Sequence, residues 1–110
     1  MTLPLFVSDN GDLMVFQTRE DAERYIEAVD VPSYLAFDAA SRLVRLSVVP
    51  EELRGQCTPE VTIALWGSEP DESRFRPILA EFLSNVEPNL EWFTRTMPEL
   101  VTAAMRYARA

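Results

Sequence analysis

The chain has 110 residues, of which 47% are hydrophobic and 25% are charged. These values are typical of one globular domain with its own core, so we expect a single domain over residues 1–110, without wholesale disorder or a membrane span. The formal net charge is −8, and a field of that sign disfavours nucleic-acid phosphates and favours a basic protein partner.

Residues 3–17 predict a β-hairpin, since two β-prone runs flank Asn10 and Gly11. This pair suits a two-residue type I′ turn because both central positions need a positive φ. Asp9 and Asp12 flank the turn, and an acidic loop raises the alternative of a calcium site. The sequence DNGD lacks the spaced ligands and the terminal glutamate of an EF-hand loop, so we predict a turn.

The segment TREDAERYIEAVD, residues 18–30, predicts one amphipathic helix. Thr18 and Asp21 have the spacing of an N-terminal capping box. The predicted buried stripe follows the i, i+3, i+4, i+7 pattern and consists of Ala22, Tyr25, Ile26 and Val29.

Carboxylates on the outer side of this helix form a first candidate binding surface. Its members are Glu20, Glu23, Glu27 and Asp30, extended either by Glu51 and Glu52 or by Glu69, Asp71 and Glu72. Such a patch suits a basic partner, and the alternative is an ordinary solvated helix face.

Residues 33–49 predict a second hairpin and residues 60–67 a further strand, because apolar and polar residues alternate with a period of two. Between them, residues 51–55 predict a short helical turn. Tyr34, Arg45, Thr62 and Trp66 share the outward phase of these strands. Aromatic residues and arginine are enriched at interface hot spots, so we predict a second candidate surface on the sheet face opposite the helices. The alternative is that the C-terminal helices cover this face and bury Trp66.

The C-terminal third predicts helices. An apolar period of 3.6 over residues 75–86 indicates one helix that Pro88 ends, and the segment NLEWFTR, residues 89–95, predicts a short one. Thr96 and Glu99 form a second capping box before an apolar stripe of Leu100, Val101, Ala104, Met105 and Ala108. Trp92 and Phe93 are a third candidate surface, with burial in the core as the alternative.

The order ββα-ββ-β followed by helices predicts an α+β fold. We expect an antiparallel sheet of four to five strands, with helices mainly on one face and a helical C-terminal third.

Catalytic and cofactor motifs are missing from the sequence. Cys57 is the sole cysteine and there is no histidine, so the chain has neither a thiol–imidazole pair nor the ligands of a zinc site. Three glycines cannot build a P-loop or a dinucleotide fingerprint. We expect a non-enzymatic protein with an inert thiol, without cofactor or metal. A carboxylate pair is the remaining catalytic option, and it would need a deep pocket with perturbed acids. The N-terminus lacks the positive region of a signal peptide, which indicates a cytoplasmic protein.

Residues 13–49 resemble small bacterial immunity proteins that are paired with secreted antibacterial toxins, including those of a type IV bacterial-killing system. The resemblance consists of a short strand, an E-x-A-E-x-Y-[IL]-E helix from Glu20 to Glu27, and a Y-x-x-[FY]-D-x-x-G-R-L hairpin from Tyr34 to Leu43. Ser41 stands where the pattern has a turn glycine.

This resemblance implies an acidic cytoplasmic protein that neutralises a cognate toxin by occluding its active site. The expected partner-binding residues, taken from the first two surfaces, are Glu20, Glu23, Glu27, Asp30, Tyr34, Arg45 and Trp66. The alternative is an acidic secretion chaperone, which would be a homodimer that holds an unfolded effector segment. A monomeric protein would count against that alternative.

Overall fold

The computed structural model describes residues 1–49 and 60–108, apart from the side chains of residues 60 and 66–68. It confirms an α+β fold with an antiparallel sheet and a helical C-terminal third. The elements, in chain order, are β1 (Leu5–Asp9), β2 (Asp12–Phe16), α1 (Arg19–Tyr25), a 3₁₀ helix (Ala28–Ser33), β3 (Leu35–Asp38), β4 (Arg42–Val49), β5 (Glu60–Pro70), α2 (Glu72–Val86) and α3 (Met97–Tyr107). The helical turn predicted at residues 51–55 and Cys57 lie outside the described residues.

The five strands form one antiparallel sheet in the order β2-β1-β3-β4-β5. The first hairpin is confirmed: Asp9 pairs with Asp12, and the turn residues Asn10 and Gly11 have φ angles of 47° and 91°. After β2 the chain passes through α1 and the 3₁₀ helix, and it returns as β3 on the other side of β1. The 3₁₀ helix therefore delivers its residues to the end of the sheet at which β3 begins.

A buried carboxylate organises the turn between β3 and β4. Asp38 is fully buried and accepts hydrogen bonds from the backbone N–H groups of Thr2, Ala40 and Arg42 at 2.9–3.0 Å. The Arg42 guanidinium also bonds Asp38 Oδ2 at 2.9 Å. Burial alone would raise the pKa of Asp38, but these hydrogen bonds and the arginine charge more than offset it and lower the pKa.

The two long helices, α2 and α3, cover one face of the sheet. Phe6 and Phe37 from the sheet pack around Phe75 of α2, with ring centroids 5.4 Å and 4.7 Å apart. Leu79 and Leu83 of α2 and Leu100 and Ala104 of α3 complete this fully buried core. Val86 and Met105, which the sequence assigns to the apolar stripes, are instead 42% and 45% exposed.

The opposite face of the sheet is covered by α1. Ala22 and Ile26 pack on a second core cluster formed by alternate strand residues, including Val7, Met14 and Val44. The sequence prediction of a helix through residue 30 is wrong: α1 ends at Tyr25, and Tyr25 and Val29 are 59% and 78% exposed instead of buried. The reason lies in the following residues, since β-branched Val29 and Val31 and the constraint before Pro32 disfavour α-helix.

The prediction of a helix at residues 89–95 is also wrong, because the segment forms turns. Within this segment Trp92 is buried and donates a hydrogen bond from Nε1 to the Glu87 carbonyl at 2.9 Å. The capping box of α3 is confirmed, with the Thr96 side chain and the Glu99 side chain each bonded to the other's backbone N–H. Among the described residues, no helix has the length and apolar character needed to cross a bilayer.

Candidate functional site

The predicted acidic side chains of the first surface have different environments. Glu20 is exposed in the first turn of α1, where its carboxylate lies 3.9 Å from Arg19. Glu23 is half-buried, and its Oε2 accepts a hydrogen bond at 2.9 Å from the backbone N–H of Ile63 in β5. Glu23, which the sequence assigns to the outer side of the helix, therefore has a partner within the fold. Its carboxylate connects α1 to β5, which is an edge strand of the sheet.

Glu27 and Asp30 lie together in and before the 3₁₀ helix. Glu27 is the exposed residue that precedes this helix, and its carbonyl accepts a hydrogen bond from the Asp30 N–H at 3.0 Å. The same helix ends at Tyr34, whose N–H donates to the Val31 carbonyl at 3.2 Å. Two acidic side chains and one aromatic side chain of the predicted set are thus brought to one region.

Tyr34 is half-buried, and the pKa of its phenol is raised above the ordinary value. Burial is the largest cause that raises its pKa, followed by the negative charges of Asp30 and Asp9, the phenol of Tyr25, and Glu27. Three carboxylates act on the Tyr34 phenol, so this part of the surface has a negative electrostatic potential. That potential keeps the phenol protonated and favours an approaching cation.

Asp9 is the member of this site that the sequence analysis missed. Ser8 pairs with Leu35 between β1 and β3, so the next residues in register, Asp9 and Tyr34, are neighbours at the end of these strands. The turn motif at residues 9–12 was recognised, but the pairing of β1 with β3 is a long-range contact that no local pattern indicates. We define the acidic surface as Asp9, Tyr25, Glu27, Val29, Asp30 and Tyr34.

The acidic surface also exposes apolar groups. Tyr25 is 59% exposed and rests against Phe16, with ring centroids 5.5 Å apart. Val29, in the 3₁₀ helix, is 78% exposed, the largest fraction among the large hydrophobic residues that the structure describes. Exposed aromatic and aliphatic groups beside carboxylates can bury apolar area while the charges orient a partner.

The structure divides the second predicted surface between the two faces of the sheet. Arg45 lies two residues beyond Leu43 on β4, opposite Ala64, and thus on the side of the sheet where α2 and α3 pack. Tyr34 packs on the cluster that α1 covers. Tyr34 therefore lies on the side of α1, whereas Arg45, which is exposed, lies on the other side of the sheet. Tyr34 and Arg45 nevertheless line one depression of about 360 Å³, together with Arg74 of α2. Trp66 lies in β5, but its side chain is outside the described residues.

Other predicted acids lie elsewhere. Arg42 pairs with Pro70 and Leu5 with Asp38, at the end of the sheet away from Tyr34. Glu69, Asp71 and Glu72 belong to that end, so they do not extend the acidic surface. Glu51 and Glu52 are outside the described residues. Of the third candidate pair, Trp92 is a core residue and Phe93 is 60% exposed.

Asp38 and Glu99, two carboxyl groups with shifted pKa values, accept hydrogen bonds that stabilise a turn and a helix cap. Hydrogen bonds to turn and cap groups lower the pKa of Asp38 and of Glu99, the latter chiefly through the Thr96 side chain. A general acid would need a raised pKa. In the described part of the chain, no three acidic or cysteine side chains are placed so that they could hold a metal ion.

Comparison with known proteins adds no relative: no protein-family model matches the chain, and neither a curated protein nor a solved structure matches it.

Proposed function

We propose that the protein is a non-enzymatic binding protein whose acidic surface docks onto a basic partner. The observation that carries this proposal is the convergence of Asp9, Glu27 and Asp30 on Tyr34, beside the exposed Tyr25 and Val29. The carboxylates supply attraction at long range, and the exposed side chains supply the contact area. The net charge of −8 strengthens the attraction over the whole molecule.

The partner that best suits such a surface is a cytoplasmic antibacterial toxin, as the resemblance over residues 13–49 implies. Acidic inhibitors associate rapidly with basic enzymes because the opposite fields steer the encounter. The inhibitor would then act by occlusion, since a tight complex covers the toxin's active site. In this role the protein needs no catalytic group and no cofactor of its own.

Co-expression tests the toxin assignment directly. The product of the neighbouring gene is expressed in a sensitive bacterium, alone or with this protein, and growth is measured. We expect the toxin-like product to arrest growth and the wild-type protein to restore it. A Glu27→Lys, Asp30→Lys variant should fail to restore growth, whereas Glu69→Lys, at the other end of the sheet, should protect. Arrest that the wild-type protein does not relieve would contradict the toxin assignment.

A further inference from the structure

A cleft runs along α3 on the side that faces away from the sheet. It has a volume of about 470 Å³, and its lining includes Leu90, Trp92, Arg95, Ala103, Arg106 and Tyr107. Leu90 and Tyr107 are 44% and 42% exposed, so apolar and aromatic surface is open to solvent there. Pockets of this size, with apolar walls and few polar groups, are typical of binding sites.

The charge of the cleft is opposite to that of the chain. Two guanidinium groups and the Glu99 carboxylate line it, which gives a local charge of +1, whereas the whole chain carries −8. Arg95 is already engaged: it lies over the Trp92 ring at 5.6 Å, bonds the Glu91 carbonyl at 3.0 Å and pairs with Glu99 at 3.3 Å. The Arg106 guanidinium has no hydrogen-bond or ion-pair partner among residues 1–49 and 60–108.

The dimensions of the cleft favour a peptide. Arg95 precedes the N-cap of α3 and Arg106 lies in its last turn, so their backbones are about 15 Å apart at the helical rise per residue. An extended peptide of about five residues spans this distance. Its carboxylate would pair with the open guanidinium of Arg106, and its apolar side chains would pack on Leu90, Trp92 and Tyr107.

The geometry points to a second interaction site, separate from the acidic surface: the α3 cleft binds an acidic, apolar peptide segment of a partner protein, with Arg106 as the carboxylate anchor. This site does not depend on the proposed function, since its charge is of the opposite sign and its residues belong to other elements. The charge preference of its ligand is therefore the opposite of that at the acidic surface.

Selection from a library of random displayed peptides tests this inference, with the purified full-length chain as bait. We expect the enriched peptides to combine Asp or Glu with aliphatic or aromatic residues. A synthetic copy should bind the wild-type chain and lose about tenfold or more in affinity with Arg106→Glu, since the reversed charge repels the carboxylate that the guanidinium attracts. The matched control, Arg19→Glu on α1, reverses an exposed arginine on the other side of the sheet and should leave the affinity unchanged.

A second variant protects the test against a loss of folding. Arg106 lies where a cation suits the end of the helix dipole, so reversing it can weaken α3. Thr102→Glu leaves Arg106 in place and puts a carboxylate one turn before it, the i,i+4 spacing that pairs with and neutralises the guanidinium. We expect this variant to keep the unfolding midpoint and to lose peptide binding. The proposal is overturned if no acidic peptide is enriched, or if the enriched peptides bind wild type and both cleft variants equally.

Discussion

At the scale of single residues, two positions of the turn between β3 and β4 decide its stability. Ser41 is buried and has a φ of 67°, a left-handed conformation that glycine adopts without steric cost. Asp38 is the acceptor for the backbone and side-chain donors around this turn. The Y-x-x-[FY]-D-x-x-G-R-L pattern covers both positions, and the positive φ of Ser41 gives a physical reason for the glycine that the pattern has there.

Ser41→Gly should stabilise the protein by about 1 kcal/mol, since a non-glycine residue pays roughly this cost in the left-handed region. The measurement is the free energy of unfolding in urea, with Ser47→Gly as the control. Ser47 lies within β4 and pairs with Thr62, so glycine there should destabilise the protein. A loss of stability on Ser41→Gly would show that the serine side chain contributes more than the backbone strain costs.

Asp38→Asn should destabilise the protein by about 3 kcal/mol at neutral pH, because it breaks a buried charge pair and leaves Arg42 uncompensated. The folded state lowers the Asp38 pKa, so the carboxylate stabilises the fold fully above the ordinary aspartate pKa. That contribution is lost as the pH falls through the lower, folded-state pKa. The difference in unfolding free energy between variant and wild type should therefore shrink below about pH 4. A difference that is constant from neutral pH to about pH 3 would contradict this role.

At the scale of elements, local patterns predicted most of the structure. The pair Asn10-Gly11 indicated its hairpin because only positive φ fits that turn, and Thr96 with Glu99 indicated the start of α3. The sequence predicts too late an end for α1, because apolar residues continue at helical spacing past Tyr25. In the structure a 3₁₀ helix follows and exposes Val29. The helix predicted at residues 89–95 is absent; there Trp92 donates a hydrogen bond to the Glu87 carbonyl, a contact that the apolar spacing does not indicate.

The candidate site was only partly predictable for the same reason. Glu27, Asp30 and Tyr34 are close in sequence and were recognised together. Asp9 lies beside them only because β1 pairs with β3. Glu23 is instead bonded to Ile63, forty residues away in the sequence. Both contacts depend on the order of strands in the sheet, which the alternating pattern does not contain.

The link between α1 and β5 gives a prediction at this scale. Glu23→Ala should destabilise the protein by about 1–2 kcal/mol, because it removes a charge-assisted hydrogen bond to the backbone. Glu23→Gln keeps an acceptor oxygen at the same position and should restore most of that loss. Thermal or urea unfolding measures both variants. If alanine and glutamine are equally destabilising, the charge of Glu23, not its hydrogen bond, is what matters. Because Glu23 stabilises the fold, a binding test should reverse the charge of Glu27 and Asp30 and leave Glu23 unchanged.

At the scale of the whole molecule, one chain covers both faces of its own sheet. The long helices α2 and α3 pack on one side and α1 on the other. Both hydrophobic core clusters are therefore covered by helices of the same chain. In the part of the chain that the structure describes, the acidic surface around Tyr34 and the α3 cleft are two local surfaces open to other molecules.

We therefore expect a monomer with a mass of 12.5 kDa. Light scattering on the eluting peak of a gel-filtration column measures this mass, over a range of protein concentrations and at two salt concentrations. A stable dimer would contradict the account and would favour the homodimeric secretion chaperone.

Affinity purification from the host cell tests whether the acidic surface binds a basic protein. Three tagged proteins are each purified at low and high salt: the wild type, the double variant Glu27→Lys/Asp30→Lys, and the control Glu69→Lys. The proteins that they retain are identified by mass spectrometry. We expect wild type and the Glu69 control to retain one stoichiometric basic partner, and the double variant to lose it. The wild type should retain less of this partner at high salt. A partner that the double variant retains as well as wild type does, or no partner at either salt concentration, would contradict binding at the acidic surface.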